Sequence, residues 1–301
     1  MEDRIGELAA LLTAICWTAT AIVFESASRK VGSVPVNILR LIMALVMLSL
    51  FTWIRRGFIL PLDASAFNWQ WLTISGLIGF VIGDLFLFKA FAVIGSRLTL
   101  LLMTLVPPIA AFVGWLLLGE TISLIHLGGM ALTLTGIAIV ILHRRRRVKP
   151  EKNAFQNISI QGVFYALMGT VGQATGLVFS KYGMGDYDVF SANQIRVIAG
   201  VIGFTIVISF FRKWFAVGQA FRNISAMKLI TVGAILGPFL GVSLSLVAVK
   251  YTATGIASTV MSISPILILP ATYLLYKQVV SWPELIGALI SIAGVAIFFL
   301  W

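Results

Sequence analysis

Asp84 stands well inside an apolar stretch and is the side chain best placed to do chemistry in this sequence. An ionisable group in hydrocarbon costs from ~2.5 to more than 10 kcal/mol, so its presence asks for a use. Two functional uses fit: a polar contact to the amine of a bound solute, or a site that couples to protons. A carboxylate bonded to another helix for structure alone is the third reading. Under the functional readings Asp84 is required for activity and not for folding. Arg40 and Arg196 stand inside other apolar stretches, each with an asparagine three residues earlier, Asn37 and Asn193. That spacing puts each pair on one helical face. The two arginines are expected to serve gating or structure, with snorkelling to the surface as the simpler alternative. Glu25 and Asp186, near helix ends, are candidate partners. Lys89 comes five residues after Asp84, on a different face, and is expected to reach the interface.

Hydrolytic chemistry finds no support in the remaining reactive residues. An intramembrane aspartyl protease needs two facing aspartates, and only Asp84 is deep. A serine hydrolase needs a histidine near its serine, whereas His126 and His143 fall at the two ends of one apolar stretch. A Walker A loop is missing, which argues against an ATP-driven machine. Cys16 is the single cysteine, so an intrachain disulfide and a cysteine metal cluster are excluded. Neither metal nor cofactor is called for, and the chain reads as a non-enzyme.

Some polar and aromatic residues differ between parts of the chain that otherwise match. Trp17 is expected to face the Gln173 region, and Ser243 and Ser245 follow Gly241. Together with Met103, Met261, Tyr165 and Asp84, they are candidates to line a cavity that is mostly apolar with a few hydrogen-bonding groups. Lipid contact or plain packing is the competing account of each.

The elements that position these residues follow from composition. Of 301 residues, 59% are apolar and 11% charged, with mean hydropathy +1.02, whereas soluble domains carry about 25% charged residues. A hydrocarbon core of about 30 Å needs roughly 20 apolar residues per crossing, and about ten such stretches are present. They cover 5–24, 34–54, 69–91, 96–118 and 122–143, then 160–181, 189–211, 227–249, 254–276 and 282–301. All should be helical, because an unpaired backbone group in lipid costs several kcal/mol. The predicted fold is an all-α membrane protein, in a cell inner or plasma membrane, with lipid as its outer solvent. A net charge of +11 is compatible with nucleic acid, yet the basic run Arg144 to Arg147, Lys149 and Lys152 lies between two apolar stretches without aromatic interleaving. It reads as an anchor on anionic lipid.

The two halves repeat. Asn37 and Arg40 recur as Asn193 and Arg196. Gly79, Gly83, Met103, Pro107, Gly129 and Gly136 recur as Gly237, Gly241, Met261, Pro265, Gly287 and Gly294, at one constant offset (237 against 79). The division is 1–143 for the first repeat, 144–159 for a basic linker and 160–301 for the second repeat. Each half has an odd number of crossings, about five, so the second enters the membrane from the opposite face and the repeat is inverted. Gly79 with Gly83 and Gly237 with Gly241 allow close backbone approach, predicting a central crossing of the third and eighth helices. Pro107 and Pro265 remove helix hydrogen bonds at matched places and are candidate hinges.

The run Gly83-Asp84-Leu85-Phe86-Leu87-Phe88, then Ile94-Gly95-Ser96-Arg97, Pro107-Pro108, Leu118-Gly119-Glu120 and the spacing of Gly129 to Gly136 resemble the EamA domain of the drug/metabolite transporter superfamily. The resemblance spans nearly the whole chain as two copies. The second copy departs from it, with Gln278 where the first has Glu120 and Val242 where the first has Asp84. It implies a ten-helix carrier of small metabolites, often amino acids, exported or exchanged without ATP; a channel or a non-transporting scaffold is the alternative. Topology gives two answers. Arg4, Arg55, Arg56, Lys181 and Lys250 fall on the N-terminal side, and a larger set including Arg144 to Arg147 falls opposite. The positive-inside rule makes the linker cytoplasmic, while the resemblance implies cytoplasmic termini; the charge distribution is given the greater weight.

Overall fold

The computed structural model describes residues 4–147, 159–264, 266–267 and 281–300, and every regular element among them is a helix. The first half holds α1 (Ile5–Val31), α2 (Ser33–Arg56), α3 (Ala66–Gly76), a π-helix (Leu77–Gly83), α4 (Asp84–Met103), α5 (Val106–Leu118) and α6 (Leu124–Arg147). The second holds α7 (Ile160–Met184), α8 (Val189–Phe210), α9 (Trp214–Arg222), α10 (Ile224–Ala234), a second π-helix (Ile235–Gly241), α11 (Val242–Tyr251), α12 (Thr254–Met261) and α13 (Trp282–Leu300).

Five continuous helical runs are long and apolar enough to cross a membrane, and four shorter apolar helices accompany them. Val46, Ile54, Phe112, Leu116, Ile206 and Ile292 are exposed on their outer faces. So wide an apolar surface is a lipid-facing one. Local chemistry sets the ends. Ser65 and Asn68 close a capping box at the start of α3. Gly119, at φ +65°, ends α5 in a left-handed conformation that a side chain would resist.

The third and fourth spans pack back to back on α7. Helical backbone runs from Asp84 to Met103, but the chain reverses within it: Gly169 of α7 faces Leu87, Gly162 faces Ile94 and Thr170 reaches the Leu102 carbonyl at 3.5 Å, so the turn between the third and fourth spans falls near 92–95 as expected. A separate break interrupts the fourth span at Thr104–Leu105, just ahead of Pro107, which occupies the first turn of α5. The proline's missing N–H costs nothing there, because first-turn donors have no partner inside the helix. The second half breaks at the equivalent Ser262–Ile263; Pro265 itself lies outside the described residues. The amphipathic α9 is a further element between the seventh and eighth spans that the sequence reading missed.

The first helix of each half sits in the other half. Helix α1 packs on α10, the second π-helix, α11 and α12, while α7 packs on α3, the first π-helix, α4 and α5. Helix α2 meets α8, and α6 meets α13. At the α6–α13 crossing, a Cβ on Gly294 would lie 2.8 Å from the Gly129 carbonyl, and one on Gly287 would lie 2.8 Å from the Gly136 carbonyl. Ser291 donates to the Thr133 carbonyl at 3.0 Å. Gly129 matches Gly287 and Gly136 matches Gly294, so the two contacts exchange under the repeat. Such reciprocity is the mark of a two-fold axis.

Candidate functional site

Each π-helix ends just before matched positions, Asp84 in one half and Val242 in the other. A π-turn loosens the regular ladder and is common at functional sites. Side-chain amides meet two of its carbonyls: Gln173 Nε2 donates to Gly79 at 3.3 Å and Asn193 Nδ2 to Pro238 at 2.8 Å.

The glycines let other helices come close, though not the helices expected. Gly79 and Gly83 face α7, where a Cβ on Gly176 would lie 2.9 Å from Gly79 Cα and one on Gly172 2.9 Å from Gly83 Cα. Gly241 lies beneath the Trp17 indole, and Gly237 against Thr20 and Phe24. The glycine pairs of the third and eighth spans therefore serve α7 and α1, and do not form the predicted crossing with each other. Trp17 correspondingly packs over Gly241, while Gln173 packs on Gly83 and reaches Asp84.

Asp84 is 6% exposed. It pairs with Arg40 and accepts from Gln173 Nε2 at 2.9 Å. Arg196 comes from the other repeat to the same place. Its Nε donates to Ser75 Oγ at 3.0 Å and its guanidinium lies 5.0 Å from the Phe80 ring centroid. At 5% exposure it does not snorkel. Arg40 lies 5.2 Å from the Phe24 ring centroid. Buried ions are costly unless paired, and among the described side chains this cluster sets two guanidiniums against one carboxylate. Arg40 Nε and Arg196 Nη1 are buried without an acceptor. Asp186 is exposed and its carbonyl takes Lys250 at 3.1 Å, so it does not serve Arg40 or Arg196; the side chain of Glu25 is outside the described residues.

The other predicted residues scatter. Ser243 accepts from Asn193 Nδ2 at 3.0 Å, beside the second π-helix, and Ser245 donates to the Val242 carbonyl of its own helix at 2.7 Å. Met103 and Met261 close α4 and α12 at matched positions. Tyr165 stacks near Phe86 and Phe164 and accepts from Gln161 at 2.6 Å. It precedes Gln173 by eight residues, about 12 Å along a helix, so it lies outside the charged cluster. Lys89 is exposed, with Nζ 5.5 Å from the Tyr165 ring centroid.

A second polar centre, unweighed as a site in the sequence, ties the halves together on the N-terminal face. Gly119 turns the chain so that Glu120 points at the start of α12, where Ala253 has no capping side chain. Glu120 Oε2 accepts from Thr254 N at 2.8 Å and Thr254 Oγ1 at 2.6 Å, and Oε1 pairs with Lys181 at 2.6 Å. A carboxylate at a helix N-terminus is stabilised by the backbone donors and the dipole. Lys181 also donates to the Thr252 carbonyl at 2.8 Å, and Thr252 to Glu7 at 2.9 Å. Arg55 pairs with Asp188 at 3.0 Å on the same face. The Leu118-Gly119-Glu120 motif was visible in sequence; its partner, 134 residues away, was not.

A model of the EamA-like transporter family matches residues 4–142 and again 160–300. One solved structure, a crystal structure of a protein, superposes with TM-score 0.74 at 15% identity, over 98% of this chain and 96% of the other. It attests the fold. A search of curated proteins finds no match. With both halves matched over almost their full length, the chain belongs to the EamA-like transporter family.

Proposed function

We propose that the chain is a secondary carrier of small metabolites, amino acids among them, that exposes one site alternately to the two sides of a cell inner or plasma membrane. The observation that carries this reading is the Arg40–Asp84–Gln173–Arg196 cluster: both repeats contribute to it, it is buried among spanning helices, and it adjoins a π-helix. A structural protein gains little from charges at such a place, whereas a solute path needs them. The swapped first helices couple the halves, and the breaks at Thr104–Leu105 and Ser262–Ile263 give two matched joints. The Glu120–Lys181–Thr254 network acts as a latch on the N-terminal face. In the second copy Gln278 replaces Glu120, so an equivalent charged latch is absent from the sequence there. Gradient-driven exchange or export follows from the lack of an ATP site, and Asp84 is the group to which protons would couple.

Uptake into vesicles reconstituted with purified protein tests the carrier reading. A carrier saturates with substrate and is accelerated by the same compound loaded inside. A channel shows neither.

A further inference from the structure

We propose that Arg40 and Arg196 form the seat for an oxyanion, a carboxylate or phosphate, of the transported compound, which places the substrates among organic acids, amino acids or phosphorylated metabolites. The inference rests on the carrier reading and narrows its substrate class. The first observation is the charge balance: among the described side chains Asp84 neutralises one guanidinium, and Arg196 has no carboxylate partner. Arg196 is 5% exposed, so water does not compensate for the deficit. The second observation is the unspent donors. Nη1 of Arg196 and Nε of Arg40 are buried without acceptors, although almost every buried polar group finds one.

The third observation is that Arg196 is held in place by groups that leave its fork free. Ser75 takes only Nε, the Phe80 face takes the flat side of the guanidinium, and Ser75 is itself fixed by the Gly176 carbonyl at 2.6 Å and Ser180 at 2.8 Å. A planar fork with free N–H groups matches carboxylate and phosphate geometry, which an ammonium does not. Asp84 is occupied by Arg40 and Gln173, so a cationic solute would have to displace an ion pair to reach it. An anion needs no such displacement.

Proteoliposomes incubated with a deproteinised metabolite extract, then analysed by mass spectrometry, reveal what the protein takes up without a guess at its identity. Every enriched compound is expected to carry a carboxylate or phosphate, and its neutral amide or dephosphorylated analogue should compete at least ten-fold more weakly. Arg196→Lys, which keeps the charge and loses the fork, should weaken uptake ten-fold or more while the protein stays monodisperse. Arg196→Gln should abolish it; if that variant does not fold, the lysine variant and the competition ratio still decide. Enrichment of neutral or cationic compounds alone, or equal competition by the neutral analogue, overturns the oxyanion seat and leaves the carrier standing. Enrichment of nothing overturns both.

Discussion

Replacing Asp84 by asparagine separates its two roles. The variant keeps an acceptor for Gln173, worth about 1 kcal/mol, and removes the charge facing Arg40. Both partners are nearly buried, with side chains 8% and 12% exposed, so solvent screening gives little relief. Removing one member of a buried ion pair costs about 3–5 kcal/mol. With the Gln173 bond retained, the lower end applies: about 3 kcal/mol, or roughly a hundred-fold in the folding equilibrium. Arg40→Gln combined with Asp84→Asn removes both charges and should recover most of that loss, giving a coupling energy of about 2 kcal/mol in a double-mutant cycle. Transport should not recover in the double variant, because the site has lost its preorganised charge. Thermal melts of purified protein and uptake by reconstituted vesicles read the two quantities. A single variant that melts and transports like the wild type at every pH would leave Asp84 a neutral polar group with no charged role. A double variant with normal transport would make the pair purely structural.

Four further expectations are independent of that one. Gly172→Ala drives a Cβ to 2.9 Å from Gly83 Cα, backbone that cannot swing aside, so it should cost about 1–3 kcal/mol in a melt, whereas Gly128→Ala, with open space around it, should be neutral within about 0.5 kcal/mol. Glu120→Gln keeps the Thr254 bonds and loses the Lys181 pair; for side chains 11% and 22% exposed that is about 1 kcal/mol, so labelling of a cysteine at Thr13 from the N-terminal face should rise about five-fold. Pro107→Ala lets the fourth span continue through Thr104–Leu105, and it should shift accessibility between the two faces and slow uptake with the melting temperature unchanged; unaltered labelling and uptake would remove the hinge. If the basic linker is cytoplasmic, an impermeant thiol reagent applied to intact cells will not label Asn153→Cys on a Cys16→Ser background, and labelling would reverse the topology.

The repeat was legible because glycines and prolines are constrained by backbone geometry, so Gly79, Gly83, Pro107, Gly129 and Gly136 keep their places in the second copy. What each glycine touches was not legible. Spacing says that a backbone can approach at Gly79 and Gly83, and nothing in it distinguishes α7 from the eighth span as the visitor. Asp84 and Arg40 were each marked by the cost of burying charge, but their pairing joins residues 44 apart, a separation with no sequence signature. Gln173 drew notice beside Trp17, yet its partner is Asp84 because Gly172 lets α7 settle on the first π-helix. The π-helices were invisible, since a one-residue widening of a helix leaves hydrophobic periodicity nearly intact. Tyr165 was grouped with Gln173 by chemical type, and eight residues of helix separate the two.

In the proposed carrier, one site serves both sides of the membrane in turn, with the N-terminal face closed by the contact between Glu120 and the start of α12. Cross-linking that contact tests it most directly: Glu120→Cys and Thr254→Cys on a Cys16→Ser background, joined by a short bifunctional thiol reagent that can be cleaved. The joined protein is expected to take up nothing, and cleavage to restore uptake to the level of the uncross-linked variant. Uptake at the full rate with the cross-link intact would show that this face need not open, and would contradict alternating access about this latch.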